Sequence, residues 1–234
     1  MTGTLINVAT ILVGGLLGLL LGSKLGDRIK QAVVNGLGLF TLLYAISLFL
    51  KTQNSLIVLG SLLVGLLLGE WWKIEEGLTA LGAKLEIRFN RSESPDSAAR
   101  FIKGFLAATL LFVIGPMAIL GSIQDGLTGN FDTLLVKAIL DGFAAMAFAS
   151  SLGVGVLFSA IPVLVYQGAI SLAALQVQRV ATPAMMNELS ATGGVILAGL
   201  AISNILEIKK IRTGNYLPAL LIAPLIVYII SIIK

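Results

Sequence analysis

Between residues 133 and 175 only two side chains carry charge, Lys137 and Asp141, inside an apolar run long enough to cross a bilayer twice. An ionised aspartate near the middle of a helix in lipid costs roughly 2.5–3.5 kcal/mol on insertion scales. Such a carboxylate needs a partner, a water-filled cavity or a chemical task. The rest of the composition fixes the setting. Of the 234 residues, 57% are apolar and 12% charged, with a mean hydropathy of +0.99; soluble domains average about 25% charge. The chain is therefore read as all-α, a polytopic transmembrane helix bundle forming a single integral membrane domain over residues 1–234 and bathed by the lipid bilayer. A barrel does not fit, because the apolar stretches are continuous rather than alternating.

Missing residue types narrow the chemistry. Without Cys there are no disulfides, thiol nucleophiles or thiolate metal sites. Without His the commonest general base and metal ligand are gone. Zinc-dependent proteolysis and Ser–His dyads are thereby excluded, and an intramembrane aspartyl protease would need a second deep Asp. The expectation is a protein that is not an enzyme and holds no metal or cofactor. The net charge of +4 sorts by loop rather than forming a nucleic-acid surface, so no nucleic-acid partner is expected.

Eight hydrophobic segments are read, at residues 3–22, 32–50, 55–72, 99–122, 133–151, 154–175, 189–206 and 215–233. At ~1.5 Å per residue each covers most or all of a roughly 30 Å hydrocarbon core. No Lys or Arg precedes the first segment, so it lacks the charged start of a cleaved signal peptide and should be retained. Basic residues follow the first helix (Lys24, Arg28, Lys30), the third (Lys73, Lys84, Arg88, Arg91, Arg100, Lys103) and the seventh (Lys209, Lys210, Arg212). These are twelve of the sixteen in the chain, and the positive-inside rule makes that side cytoplasmic. Lys51, Lys137, Arg179 and Lys234 fall on or toward the other side, and both termini are expected to face outward.

The loop over 73–98 repeats Ile74, Leu78, Leu81, Leu85 and Phe89 at helical spacing between charges. That pattern fits an amphipathic helix on the inner surface, or a solvated linker. Ser94-Pro95-Asp96 has the form of an N-cap followed by Pro at the first helical position. The uncharged turn Ser150–Gly155 is either a tight interfacial hairpin or the tip of a re-entrant pair over 133–175.

Small residues recur four apart at Gly14, Gly18, Gly22 and Gly26, and again at Ser61, Gly65 and Gly69. Such faces let helix backbones approach closely in lipid. They serve packing within the chain or the face of a homo-oligomer. Gly-Leu-Leu-Leu-Gly occurs at both 18–22 and 65–69, a weak internal echo.

Counting from the outer ends of their helices, Asp141 and Gln167 lie roughly 12 Å deep and Gly115-Pro116 roughly 10 Å deep. Pro116 has no N–H, which frees the carbonyl of Phe112. One layer thus collects a carboxylate, an amide and a carbonyl, an oxygen-rich set for a cation or proton. The competing reading is a self-neutralising Lys137–Asp141 pair, one helical turn apart; Lys137 could instead snorkel outward and leave Asp141 free. Gln124, Asp125, Asn187 and Glu188 form a second polar group at the outer side, either solvated loops or a vestibule. Thr182-Pro183 through Glu188 reads as a short interfacial helix. Glu70, Trp71 and Trp72 read as interface anchors.

Gly115-Pro116-Met117-Ala118-Ile119-Leu120-Gly121-Ser122, Asp125-Gly126 and Asp141-Gly142-Phe143 resemble a bacterial inner-membrane family, the domain of unknown function number 554 of the YqgA/YdfK type. Leu152-Gly153-Val154-Gly155-Val156, Tyr166-Gln167-Gly168 and Leu217-Pro218-Ala219 fit the same pattern, which spans essentially the whole chain. The resemblance implies a multi-pass protein of the bacterial inner (plasma) membrane and leaves the chemistry to the residues. Two functions remain in play. One is a transporter or permease-like protein for a small solute or ion, with its site around Asp141 in the outer half of the membrane. The other is a non-transporting protein that assembles through its glycine faces.

Overall fold

The computed structural model describes residues 1–90 and 94–233. Arg91 and Lys234, both used in the charge sorting, lie outside the described residues. Among those described there is no strand, and eight helices are long and apolar enough to cross a membrane. The helices are α1 (Thr2–Gly22), α2 (Asp27–Phe49), α3 (Ser55–Trp72), α4 (Ile74–Leu85), α5 (Pro95–Ile114), α6 (Pro116–Thr128), α7 (Asp132–Leu152), α8 (Ala160–Leu172), α9 (Ala174–Val180), α10 (Pro183–Leu200) and α11 (Ala219–Ile233). Short 3-10 turns at Val154–Ser159 and Thr213–Tyr216 lead toward α8 and α11.

Three boundaries differ from the sequence reading. The second span begins at Asp27 rather than 32, taking in charged residues of its first turn. The fourth segment is two helices, not one across 99–122, because α5 stops at Ile114 and α6 starts at Pro116. Proline disfavours helical geometry in the residue before it and suits the first position of a new helix. Pro183 through Glu188 is no separate interfacial helix: it forms the opening turns of α10, where the Thr182 hydroxyl accepts the Met185 N–H at 3.2 Å. At the start of α5 the hydroxyl of Ser94 accepts the Ser97 N–H at 3.3 Å, the cap that the Ser-Pro-Asp pattern predicts.

The chain divides into two compact units. The first comprises Met1–Leu37, Thr79–Val113 and Met117–Gln178. At its centre α1 runs parallel to α7. A Cβ added at Gly14, Gly18 or Gly22 would lie 2.1, 2.1 or 2.4 Å from the carbonyl oxygens of Gly142, Met146 and Ser150 respectively. Backbone meets backbone along this line, so a side chain cannot be added without moving a helix. Gly26, the fourth residue of the predicted face, has nothing within 4 Å. Gly155 is seated against the Phe101 carbonyl, and Phe101 and Phe89 both pack on Phe158.

The second unit comprises Gly38–Leu78, Ile114–Pro116 and Arg179–Lys234. Here α3 packs antiparallel to the chain leading into α11. A Cβ at Gly65 would lie 2.5 Å from the Ala219 nitrogen, and one at Gly69 would lie 1.8 Å from the Asn215 carbonyl oxygen. Ser61 is fully buried on the same face, its hydroxyl returned to the Ile57 carbonyl at 2.6 Å. Trp71 and Trp72 are exposed at the end of α3, beside a Glu70–Arg212 ion pair of 2.9 Å.

Candidate functional site

The buried stripe of α1 runs Gly3, Thr4, Asn7, Ile11, Gly14, Gly15, Gly18 and Gly22. Its deep part is glycine, which brings α7 close, and its first turns are polar. The matching stripe of α7 carries Leu134, Lys137, Ala138, Asp141 and Gly142. Parallel packing then sets Asn7 opposite Asp141. The Asn7 amide nitrogen donates to Asp141 Oδ2 at 3.0 Å. The Lys137 ammonium, one turn before Asp141 on the same helix, donates to the same oxygen.

Lys137 therefore does not snorkel: its side chain is 6% exposed and that of Asp141 11%. The ion pair neutralises the segment, and the Asn7 amide adds a third buried polar group. Phe112 enters by its ring, whose centroid lies 5.8 Å from Lys137 Nζ, within range of a cation–π attraction. This polar set is incompletely satisfied. Asn7 Oδ1 is buried without a hydrogen-bond partner among the described residues, as are the hydroxyl of Thr4 and both amide atoms of Gln167 on α8. A buried polar atom left unpaired costs on the order of 1–3 kcal/mol.

Gln167 is wholly buried in the same unit as Asp141, but its amide makes no hydrogen bond to the Lys137–Asp141 pair. Gly115 and Pro116 fall in the second unit, where the neighbouring Ile114 packs against Gly193. Of the outer group, Gln124 is exposed and accepts the Thr133 hydroxyl at 2.7 Å. Asp125 is buried at the start of α1, where its Oδ2 accepts the Gly3 N–H at 3.0 Å and its Oδ1 lies 3.1 Å from the Met1 amine. Glu188 does the same for α3 in the second unit. It accepts the N–H groups of Gln53 and Asn54 at 2.7 and 3.1 Å and the Thr52 hydroxyl at 2.6 Å. Asn187 beside it is half-buried.

An open groove of about 430 Å³ runs along the other side of the α1–α7 seam, bordered by Ile6, Thr10, Val13, Leu17, Phe143 and Met146. Its wall is apolar and Asp141 is not part of it. Asn7 and Thr4 are the site residues that pattern reading missed. Asn7 lies seven residues before Gly14 and Thr4 three before Asn7, which continues the glycine face by two turns.

Eight apolar spans define a polytopic helical membrane protein, and the buried polar cluster lies within its first unit. The chain belongs to the family described as "Protein of unknown function (DUF554)", which matches residues 2–228. It is similar to "Uncharacterized protein YqgA" of Escherichia coli (strain K12), 36% identical over 221 residues and 94% of each chain. It is also similar to "Uncharacterized membrane protein YdfK" of Bacillus subtilis (strain 168), 29% identical over 98% of this chain and 97% of that one. No solved structure matches.

Proposed function

We propose that this is a transporter or permease-like protein of the bacterial inner membrane, moving a small ion or ion-coupled solute through a site at Asp141. One observation carries the reading. A carboxylate buried in a membrane-spanning helix is held only by side chains, and the amide beside it keeps an unpaired oxygen. An ionisable group at such depth is costly and makes a functional-site candidate. The loop charges support an orientation with both termini outward, which sets Asp141 in the outer half. The lack of Cys and His supports a non-enzymatic role.

Assembly through the glycine faces has less support. Gly14, Gly18 and Gly22 already meet the backbone of α7, and Gly65 and Gly69 meet the chain around Asn215 and Ala219. Of the two stripes only Gly26, past the end of α1, is left open.

The test is flux in proteoliposomes loaded with cation- and proton-sensitive dyes, with lithium, sodium, potassium and proton gradients applied in turn. Wild type should carry at least one of them, and Asp141→Asn should lose it. Equal flux from wild type, Asp141→Asn and Gln167→Ala would show that the site is misplaced.

A further inference from the structure

We infer that Lys137 is a tethered counter-ion, which a small monovalent cation displaces from Asp141 while Asn7 supplies a neutral oxygen to the incoming ion. The inference rests on the reading of Asp141 as an ion site and gives that site its ligand class and its resting state. Asp141 is held by the Lys137 ammonium and the Asn7 amide. Both are side-chain groups, so exchanging them requires no helix to unwind. Glu188 shows the contrast, because two of its bonds come from backbone N–H groups.

Asn7 is the informative member. With an ammonium on Asp141, its amide must turn the nitrogen toward the carboxylate, and its oxygen is then stranded in the buried interior. A metal or ammonium cation on Asp141 reverses that demand. The amide rotates and presents Oδ1 beside the carboxylate, so the unpaired amide oxygen of the resting site becomes a ligand. Hard cations take carboxylate and amide oxygens together.

Lys137 has somewhere to go. It lies one turn nearer than Asp141 to the exposed start of α7 at Asp132, and its four-carbon stem lets the ammonium reach toward water. The Phe112 ring flanks the ammonium and favours a cation between carboxylate and rim. Charge sets the valence. One carboxylate balances one positive charge, whereas a divalent ion would leave a surplus in a low-dielectric setting. Among the described residues no group of three or more acidic side chains gathers to hold such an ion.

The experiment is a thermal-shift titration of the purified full chain with lithium, sodium, potassium and methylammonium chlorides, choline chloride holding ionic strength constant. The four salts separate an alkali ion from an organic ammonium. Removing the competitor should tighten binding, so Lys137→Gln is expected to respond at about tenfold lower concentration than wild type for one of these cations. Lys137→Arg, which keeps the charge, should respond no more readily than wild type. Asn7→Leu should need about tenfold more cation. If wild type responds and Lys137→Gln responds no more readily, the tethered counter-ion is refuted while the Asp141 site stands. If no cation moves wild type or Lys137→Gln, the inference is refuted, and the site is then judged by flux alone. Should Lys137→Gln fail to fold, labelling of wild-type Lys137 by an amine-reactive reagent decides. The rate should rise in the cation that shifts melting; an unchanged rate refutes displacement.

Discussion

Glu188 and Asp141 are both buried carboxylates on membrane-spanning helices, one in each compact unit, and they are held in opposite ways. Glu188 closes the start of α3 with two backbone N–H groups and the Thr52 hydroxyl. Those donors are the orphan groups that a helix start and its approach always present, so the carboxylate completes the backbone and is fixed by it. Asp141 sits mid-helix against an ammonium and an amide, both on flexible stems. The flanking architecture is alike: small-residue faces bring α1 to α7 and α3 to the chain before α11. Burial and charge alone therefore do not mark a functional site here. What sets Asp141 apart, and underlies the proposed site, is that its partners are side chains rather than backbone.

The sharpest way to break the comparison is to separate the shared scaffold from the charges. Gly18→Leu should be the largest loss, because its side chain meets the Met146 carbonyl; a cost of about 3 kcal/mol or more is expected, read as failure to recover folded protein. Gly26→Leu, in the turn between α1 and α2, should be near neutral, as nothing lies within 4 Å. Next come the charges at the Asp141 site. Lys137→Met or Asp141→Leu alone should cost about 3–5 kcal/mol by stranding the other charge, while the double substitution should recover most of it in a denaturation double-mutant cycle. Additive losses would mean that the pair is not coupled.

Glu188→Gln should cost about 1.5–3 kcal/mol, since charge-assisted bonds weaken but the shape is kept. Its cation response should remain that of wild type in the same melting assay. The smallest effect concerns Glu75, at the start of α4 outside the spans. Burial raises its pKa above the ordinary 4.5, with the Gly214 N–H pulling the other way. A raised folded-state value means that the stability tied to its protonated form is complete below about pH 4.5 and lost as pH rises through the raised value. Melting curves should show Glu75→Gln gaining on wild type over that rise; a constant difference would remove Glu75 as the cause.

Spans were legible in the sequence because length and continuous apolarity decide them, and the structure moves their ends where polar residues join a helix, as at Asp27 and Pro183, or where Pro116 breaks one. In isolation Asn187 and Glu188 read as the end of a short interfacial helix or as part of a polar outer group. They are helical because Thr182 caps the turn before them and Glu188 has a distant use. Such uses are hidden from pattern reading: the Gly3–Asp125 bond spans 122 residues, and nothing local announces it. Depth counting had a related limit. It puts Asp141 and Gln167 in one layer, but a layer does not say which neighbour a side chain faces. The pairing that mattered came from azimuth, and the stripe Thr4, Asn7, Ile11, Gly14 carried that signal.

The most direct measurement is a cation titration of melting temperature run on wild type, Asp141→Asn and Glu188→Gln side by side. Exchangeable partners at Asp141 and fixed ones at Glu188 predict a cation-dependent rise that Asp141→Asn abolishes and Glu188→Gln preserves. A rise that survives in Asp141→Asn, or that Glu188→Gln alone removes, would contradict the assignment of the site to Asp141.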